Sequence, residues 1–129
     1  MTTEQGLFSF TGVAAGALSS YPYHLVKFNG TNNTIAICNG ATDKPCGVIQ
    51  NAADVLAAGD PVEVMALGKT KLILAEPLTS GAIIATDASG HCIATIATAY
   101  SCGQIVDGGA ATEYASALIN CINPCLKAA

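Results

Sequence analysis

The cysteines are the residues of this sequence whose type and spacing could do chemistry. The 129-residue chain contains six of them, in three neighbouring pairs: Cys38 with Cys46, Cys92 with Cys102, and Cys121 with Cys125. We hypothesise that each pair forms a disulfide, and such short loops would each contribute about 2–3 kcal/mol of stability. Many other connectivities exist, and the sequence cannot choose between them. The alternative is six reduced thiols that pack as small apolar side chains, which synthesis inside a cell favours.

A metal site is the rival use of these side chains. His91 and Cys92 are adjacent in the sequence, so on a strand they point to opposite faces and cannot both ligate one ion without a bend. The sequence contains no Cys-x-x-Cys, and Cys121 and Cys125 lack a second pair at zinc-ribbon spacing. We therefore expect neither a metal ion nor another cofactor.

The sequence offers little that would support catalysis. Its two histidines, His24 and His91, have no nucleophile motif beside them. The acidic residues are scattered through predicted loops and strand edges, where such residues commonly make turns. The two glycines after Asp107 are followed by Ala-Ala-Thr and not by Gly-Lys-Ser/Thr, so they do not match a phosphate-binding loop. We expect that the protein is not an enzyme.

Charge and hydropathy exclude further classes of function. The chain has a formal net charge of −4 and carries no arginine, which argues against nucleic-acid binding because that requires clustered cations. The uncharged stretches 5–26 and 88–105 contain glycines and histidine and are too polar to span a bilayer. Glu4 stands where a signal peptide would need lysine or arginine. We expect a soluble chain that is made in the cytoplasm.

The elements that must position these residues are short strands. Apolar and polar residues alternate over Pro61–Ala66, the period of a half-buried strand. Leu67-Gly68 is predicted to be the two-residue turn of a central hairpin that returns over Lys69–Leu74. With 51% hydrophobic but only 5% aromatic and 11% charged residues, the chain suits thin β-layers. Part of its apolar surface would be covered by other subunits.

Further strands flank this central segment. A second hairpin is predicted from His24–Phe28 to Thr34–Cys38, because Asn29-Gly30 is a strong turn signal. Cys46–Gln50 is predicted to form another short apolar strand. Thr112–Ile119 is predicted to be either a short helix or, in its last part, a strand.

The last third of the sequence resembles the first. An offset of 56 residues aligns Cys46-Gly47-Val48-Ile49 with Cys102-Gly103-Gln104-Ile105, and Val62-Glu63-Val64 with Leu118-Ile119-Asn120. Upstream, where the later copy is shorter, the comparison matches Cys38 with Cys92. The alternative to a repeat is chance similarity. A repeat predicts a small antiparallel β-barrel or sandwich built from two weakly similar halves that bury each other's open faces.

The first twenty residues differ in composition from the rest. Phe8 and Phe10 lie among glycine, serine and threonine, and a tract of small residues follows. One interpretation is an edge strand and a loop. The other, which sets the domain boundaries, is an extended N-terminal arm over residues 1–20 that orders against a neighbour, followed by a single β-domain over residues 21–129.

Five motifs recur here in an order known from one protein family. They are the strand Tyr23–Phe28, a Gly-Val-Ile-Gln-Asn step at 47–51, Ala-Gly-Asp-x-Val-x-Val at 58–64, Leu-Thr-Ser-Gly at 78–81 and Asp-x-x-Gly at 87–90. In this order, the run from Ser19 to Val106 resembles the small capsid decoration, or cement, proteins of tailed bacteriophages. The cysteines and the tail at 120–129 depart from the family.

The resemblance implies a structural virion protein that binds the outer surface of an expanded icosahedral head. Such proteins are made in the host cytoplasm, contact the major capsid protein, self-associate as trimers more often than dimers, and oppose the pressure of packed DNA. Aromatic residues supply much of the energy of interfaces, so we expect contacts with the capsid or with other subunits at Phe8, Phe10, Tyr21 and Tyr23. The competing interpretation is an extracellular, adhesin-like β-domain, which requires a secretion signal.

Overall fold

The computed structural model of the protein describes residues 5–127 and has no α-helix in that range. One 3-10 turn, Ala52–Asp54, precedes the longest strand. The strands are β1 (Gln5–Ala14), β2 (Leu25–Phe28), β3 (Thr34–Ile37), β4 (Gly47–Ile49), β5 (Pro61–Ile73), β6 (Ile83–Thr86), β7 (Cys92–Ala94), β8 (Tyr100–Ser101), β9 (Gly103–Asp107), β10 (Tyr114–Asn120) and β11 (Cys125–Leu126). The predicted all-β class is confirmed, and the segment for which a helix was the alternative is the strand β10.

Five strands close a first barrel. Their order is β1, β3, β2, β4 and the first part of β5, which pairs again with β1. All of these pairings are antiparallel except the one between β1 and β3, where Ala14 pairs with Ile35 in a parallel register. Buried apolar side chains from all five strands fill the interior, among them Ala14, Val26, Ile35, Ile49 and Val64.

A second barrel follows the same plan. It consists of the last part of β5 with β10, β9, β6 and β7, and the ring closes through a parallel bridge between Leu74 and Cys92. Its interior contains Leu72, Leu74, Ile84, Ile105 and Ala117. A ring with an odd number of strands cannot alternate direction throughout, so each barrel contains one parallel contact. The sheet is therefore mixed, whereas the sequence predicted an antiparallel one.

Strand β5 belongs to both barrels, and the predicted hairpin at its centre is wrong. Pro61–Ile73 runs without a turn, and its even-numbered residues stay buried through the position of the expected turn. Gly68 lies within the strand at a φ of 138°, a conformation that glycine adopts without strain. On either side of Gly68, β5 pairs with β1 and with β10, so its backbone groups are satisfied without folding back on themselves.

The N-terminal segment is part of the first barrel over most of its described length. Gln5–Ala14 pairs along β5 and, at its end, with β3. The residues up to 20 then form turns in which Leu18 is buried. The extended arm predicted for residues 1–20 is thus an integral strand here, because β1 supplies the pairing that closes the ring. Residues 1–4 lie outside the described part of the chain.

The two barrels share one pairing register, strand by strand. Equivalent positions, the first barrel before the second, are Ala14 and Leu74, Val26 and Ile84, Ile35 and Cys92, Gly47 and Gly103, and Val64 and Ala117. The chain is therefore a tandem repeat of a five-stranded barrel, and the predicted organisation in two similar halves is confirmed.

The structural equivalence corrects the sequence alignment in two places. Cys38 is equivalent to Thr95 and not to Cys92, because the amides of Cys38 and Thr95 donate to the matching carbonyls of β2 and β6 at 3.1 and 2.8 Å. The segment 62–64 is equivalent to 115–117 and not to 118–120. The number of residues that separates equivalent positions decreases from β1 to β10, because the connections are shorter in the second barrel. A single fixed offset therefore cannot align all of the strands.

Candidate interaction surfaces

Three phenylalanines form an exposed aromatic patch on the first barrel. The ring of Phe10 stacks on Phe8 at 6.4 Å and on Phe28 at 5.6 Å between centroids. Phe8 and Phe28 are 49% and 53% exposed, and Phe10 packs partly against the first core. The structure thus brings two predicted contact residues together and adds Phe28, which sequence reasoning missed. No local pattern in the sequence identifies Phe28, because it joins the patch through the pairing of β2 with β3 and of β3 with β1.

Tyr21 lies apart from this patch, in a cluster of rings where the two barrels meet. Its ring contacts His24 edge-on at 5.3 Å, and His24 contacts His91 at 4.8 Å. His24 is buried, and its Nδ1 lies 3.0 Å from the Pro22 carbonyl oxygen. Burial lowers the pKa of His24, the hydrogen bond to Pro22 opposes that shift, and the nearby His91 adds to it. The neutral imidazole therefore packs as a ring between the barrels.

Tyr23 belongs to another ring contact between the barrels. It packs against the second core and meets Tyr114 edge-on at 5.7 Å. The Lys71 ammonium lies 5.2 Å from the centroid of the Tyr23 ring, within the range of a cation–π contact. Tyr23 is therefore partly used inside the molecule, and Tyr114 shares its site. Tyr23 therefore joins the two barrels directly, whereas Tyr21 is linked to the second barrel through His24 and His91.

All six cysteines lie in the described part of the chain, and each is a free thiol there. The three predicted disulfides are not formed. Cys125 is exposed and the other five are buried. Burial raises the pKa of Cys46 to about 12 and also raises the pKa values of Cys38 and Cys92. Contact with Cys102, followed by burial, raises the pKa of Cys121. Such thiols remain protonated and pack as small apolar groups.

The Cys-Gly repeat has a steric explanation rather than a chemical one. Gly47 and Gly103 have φ values of 157° and 158°. A Cβ at Gly47 would overlap the Met65 carbonyl, and a Cβ at Gly103 would overlap the equivalent carbonyl of Leu118. The absence of a side chain at each glycine lets the paired strand, β5 at Gly47 and β10 at Gly103, approach its backbone closely. Within residues 5–127, no group of His, Cys, Asp and Glu side chains has the arrangement of a metal site.

An apolar groove lies on the outside of the second barrel. Its volume is about 500 Å³. Ile83, Gln104 and Leu118 form one row across its wall, because each is directly paired with the next on β6, β9 and β10. Leu7 and Leu67 line it as well, and no residue that lines it is charged. The groove can bind an apolar, uncharged surface, and sequence reasoning did not identify it.

Comparison with known proteins places the fold. No protein-family model and no curated protein sequence matches the chain. The structure is similar to the crystal structure of the head fiber gp8.5 N base of bacteriophage phi29. The TM-score is 0.62 at 18% identity, over 88% of this chain and 94% of the phage chain. Among residues 5–127, no helix is long and apolar enough to cross a membrane.

Proposed function

We propose that the protein is a structural component of a tailed-phage virion, specifically a decoration or cement protein on the outer surface of the icosahedral head. The observation that carries this proposal is the similarity of fold, over nearly the whole chain, to the base of a phage head fiber. The motif order over Ser19–Val106, which resembles capsid decoration proteins, supports the same class from separate evidence.

The partners in this role are the major capsid protein and further copies of the chain, as a trimer rather than a dimer. Two exposed apolar surfaces support a role in assembly: the aromatic patch and the uncharged groove. Monomeric proteins rarely expose such surfaces without a partner. Several modest contacts made at once by a subunit and its neighbours would make release from the head slow. The head would then be stabilised against the pressure of packed DNA.

The role is structural rather than enzymatic. His24 contacts Tyr21, His91 and a backbone carbonyl, which is the environment of a packed ring. The raised pKa values of the buried thiols oppose their use as nucleophiles. The groove on the second barrel is apolar and lacks charged side chains, so it suits protein docking better than chemistry on a polar substrate.

Binding to heads tests the proposal directly. Purified protein would be mixed with expanded heads that lack it and, as the control, with unexpanded procapsids of the same phage. We expect the protein to sediment with the expanded heads, to appear as density on their outer surface by electron cryomicroscopy, and to raise the temperature at which they rupture. Failure to bind either particle, or density on the inner surface alone, would contradict the proposal.

A further inference from the structure

The two barrels pack against each other through a row of apolar residues on the outside of the first barrel. Leu25, Val48 and Met65 form a row across the outside of the first barrel, because each is paired with the next. Leu25 and Val48 are fully buried and Met65 is nearly so. All three belong to the hydrophobic cluster that fills the second barrel. The second barrel therefore covers this outer row of the first.

The equivalent row of the second barrel has no such cover within the described chain. By register, Leu25, Val48 and Met65 correspond to Ile83, Gln104 and Leu118. These are the residues that form the wall of the apolar groove. Ile83 is 46% exposed and Leu118 is 49% exposed. The groove is thus the surface on which a third barrel would sit if the packing of the first two were repeated.

The second barrel also contributes a surface to the contact between the barrels, and the equivalent surface of the first barrel is exposed. In the second barrel, Thr70 and Thr86 are fully buried. The Gln50 amide donates to the Thr70 hydroxyl at 3.0 Å, and the Cys38 side chain lies within hydrogen-bonding reach of Thr86. Both covering residues come from the first barrel.

Phenylalanines replace these threonines in the first barrel. By register, Thr70 corresponds to Phe10 and Thr86 to Phe28. Phe10 and Phe28 stack on each other, and Phe28 is 53% exposed. The surface that the second barrel turns towards the first is therefore present on the first barrel as well, where it is aromatic and points to solvent.

We propose that a second copy of the chain docks its aromatic patch into the groove of the first copy, and so repeats between molecules the packing of the two barrels within one. The two surfaces are complementary in character: the groove is apolar and uncharged, and the patch consists of three phenylalanines. Burial of apolar surface of this kind is the main driving force for association. The occupant of the groove is thus a copy of this protein.

The interface is heterologous, because the patch of one copy meets the groove of the next. Such contacts close into rings when the rotation between copies permits, and otherwise continue as chains. A ring of three would account for the trimer in the proposed function. The inference deepens the self-association in that proposal, but the internal repeat supports it independently of any virion.

One substitution on each surface tests the groove and the aromatic patch independently. Leu118→Lys places a charge in the groove, and Phe28→Lys places one in the patch. Leu56→Lys is the matched control, because Leu56 is 69% exposed and belongs to neither surface. Circular dichroism and thermal unfolding check that each full-length variant is folded, and Ile83→Lys replaces Leu118→Lys if that variant is not. Sedimentation velocity measures the mass of each protein in solution.

We expect the wild type and Leu56→Lys to self-associate and the two surface variants to be monomers. An equimolar mixture of the two surface variants would form dimers with one copy of each, because only one intact patch and one intact groove are present. The inference is overturned if the wild type is monomeric at all accessible concentrations, if either surface variant still self-associates, or if the mixture stays monomeric. A monomeric wild type that still binds expanded heads would overturn this inference alone and leave the proposed function standing.

Discussion

The two barrels of this protein have the same interior plan and different exteriors. Equivalent interior positions are buried in both barrels, although their volumes differ: the first barrel pairs Ala14 with Ile35, where the second pairs Leu74 with Cys92. The outer row of one barrel is buried and that of the other is exposed. Closure of the ring of strands therefore determines which side chains are buried inside a barrel. The packing of the other barrel determines which outer side chains are buried.

Loss of the paired glycines is the most severe test of the shared plan. Gly103→Ala and Gly47→Ala each force a Cβ onto the carbonyl of the next strand, at a φ that disfavours side chains. We expect each to lower the free energy of unfolding by about 3 kcal/mol or more, from strain and overpacking together. Urea denaturation of the purified variants measures this.

The matched control is Gly16→Ala, because a Cβ at Gly16 meets no atom within 4 Å and its φ is not positive in the structure. It should change stability by only a few tenths of a kcal/mol. If Gly47→Ala were harmless while Gly103→Ala were severe, the two barrels would not share this close approach, and their equivalence would be weaker than the register indicates.

The side-chain volumes of the interior pair Leu74 and Cys92 can be exchanged for those of the equivalent pair in the first barrel. Leu74→Ala leaves a cavity in the second barrel and should cost about 3 kcal/mol. Adding Cys92→Ile recreates there the Ala and Ile combination of the first barrel, and the double variant should recover about 1 kcal/mol or more of that loss, because the two positions are paired. Thermal unfolding of the two single variants and the double variant gives the coupling.

The combination Leu74→Ala with Ile105→Val is the control for this coupling, since it removes volume at two interior positions and adds none. It should be less stable than Leu74→Ala alone. If the changes in the free energy of unfolding of Leu74→Ala and Cys92→Ile were strictly additive in the double variant, the volumes of the two positions would not be exchangeable. The interiors of the two barrels would then be packed in unrelated ways.

The contact between the barrels should depend on pH through His24. The pKa of this buried imidazole is lowered in the folded protein, so between the folded and the unfolded pKa the unfolded state binds the proton more readily than the folded state does. Stability should therefore be greatest above about pH 6.5 and should fall as the pH decreases towards the folded pKa. Asp87 and His91 are the other titratable groups that affect it.

Thermal unfolding of the wild type and of His24→Phe between neutral and mildly acidic pH measures this effect. Phenylalanine keeps a ring against Tyr21 and His91 but cannot bind a proton. We expect the difference between the two melting temperatures to change with pH in favour of the variant as the solution is acidified. Parallel pH profiles for the two proteins would show that His24 does not carry the dependence.

Much of this fold could be predicted from local patterns in the sequence, and the site could not. The hairpin at Asn29-Gly30 and the repeat of Cys46-Gly47 at Cys102-Gly103 are confirmed, because turn chemistry and close approach act over a few residues. The continuity of β5 through Gly68 was missed, since strands distant in sequence decide whether a glycine bends a strand or ends it. The disulfide prediction failed for a related reason: it relied on a repeated cysteine pair, whereas Cys38 is equivalent to Thr95 and not to Cys92.

The groove and the patch escaped prediction because both depend on which surface is left uncovered. Leu118 and Met65 occupy equivalent positions, and both are apolar residues in alternating strands. Only the packing of one barrel on the other makes one exposed and the other buried. Phe10 was predicted as a contact residue from its type alone, and its partner Phe28 became apparent only when β1 and β2 were placed in one ring.

The loops that precede β5 and β10 provide the smallest test of the repeat. The Asp60 carboxylate accepts hydrogen bonds from the amides of Leu56 and Ala57 at 2.9 and 3.0 Å. The equivalent Glu113 accepts one, from Ala110, at 2.7 Å. Asp60→Ala should therefore cost about 1 kcal/mol and Glu113→Ala about half of that. Urea denaturation measures both, with Asp54→Ala in the 3-10 turn of the connection before β5 as the control. A larger loss at Glu113 than at Asp60 would contradict the count of hydrogen bonds as the source of the difference.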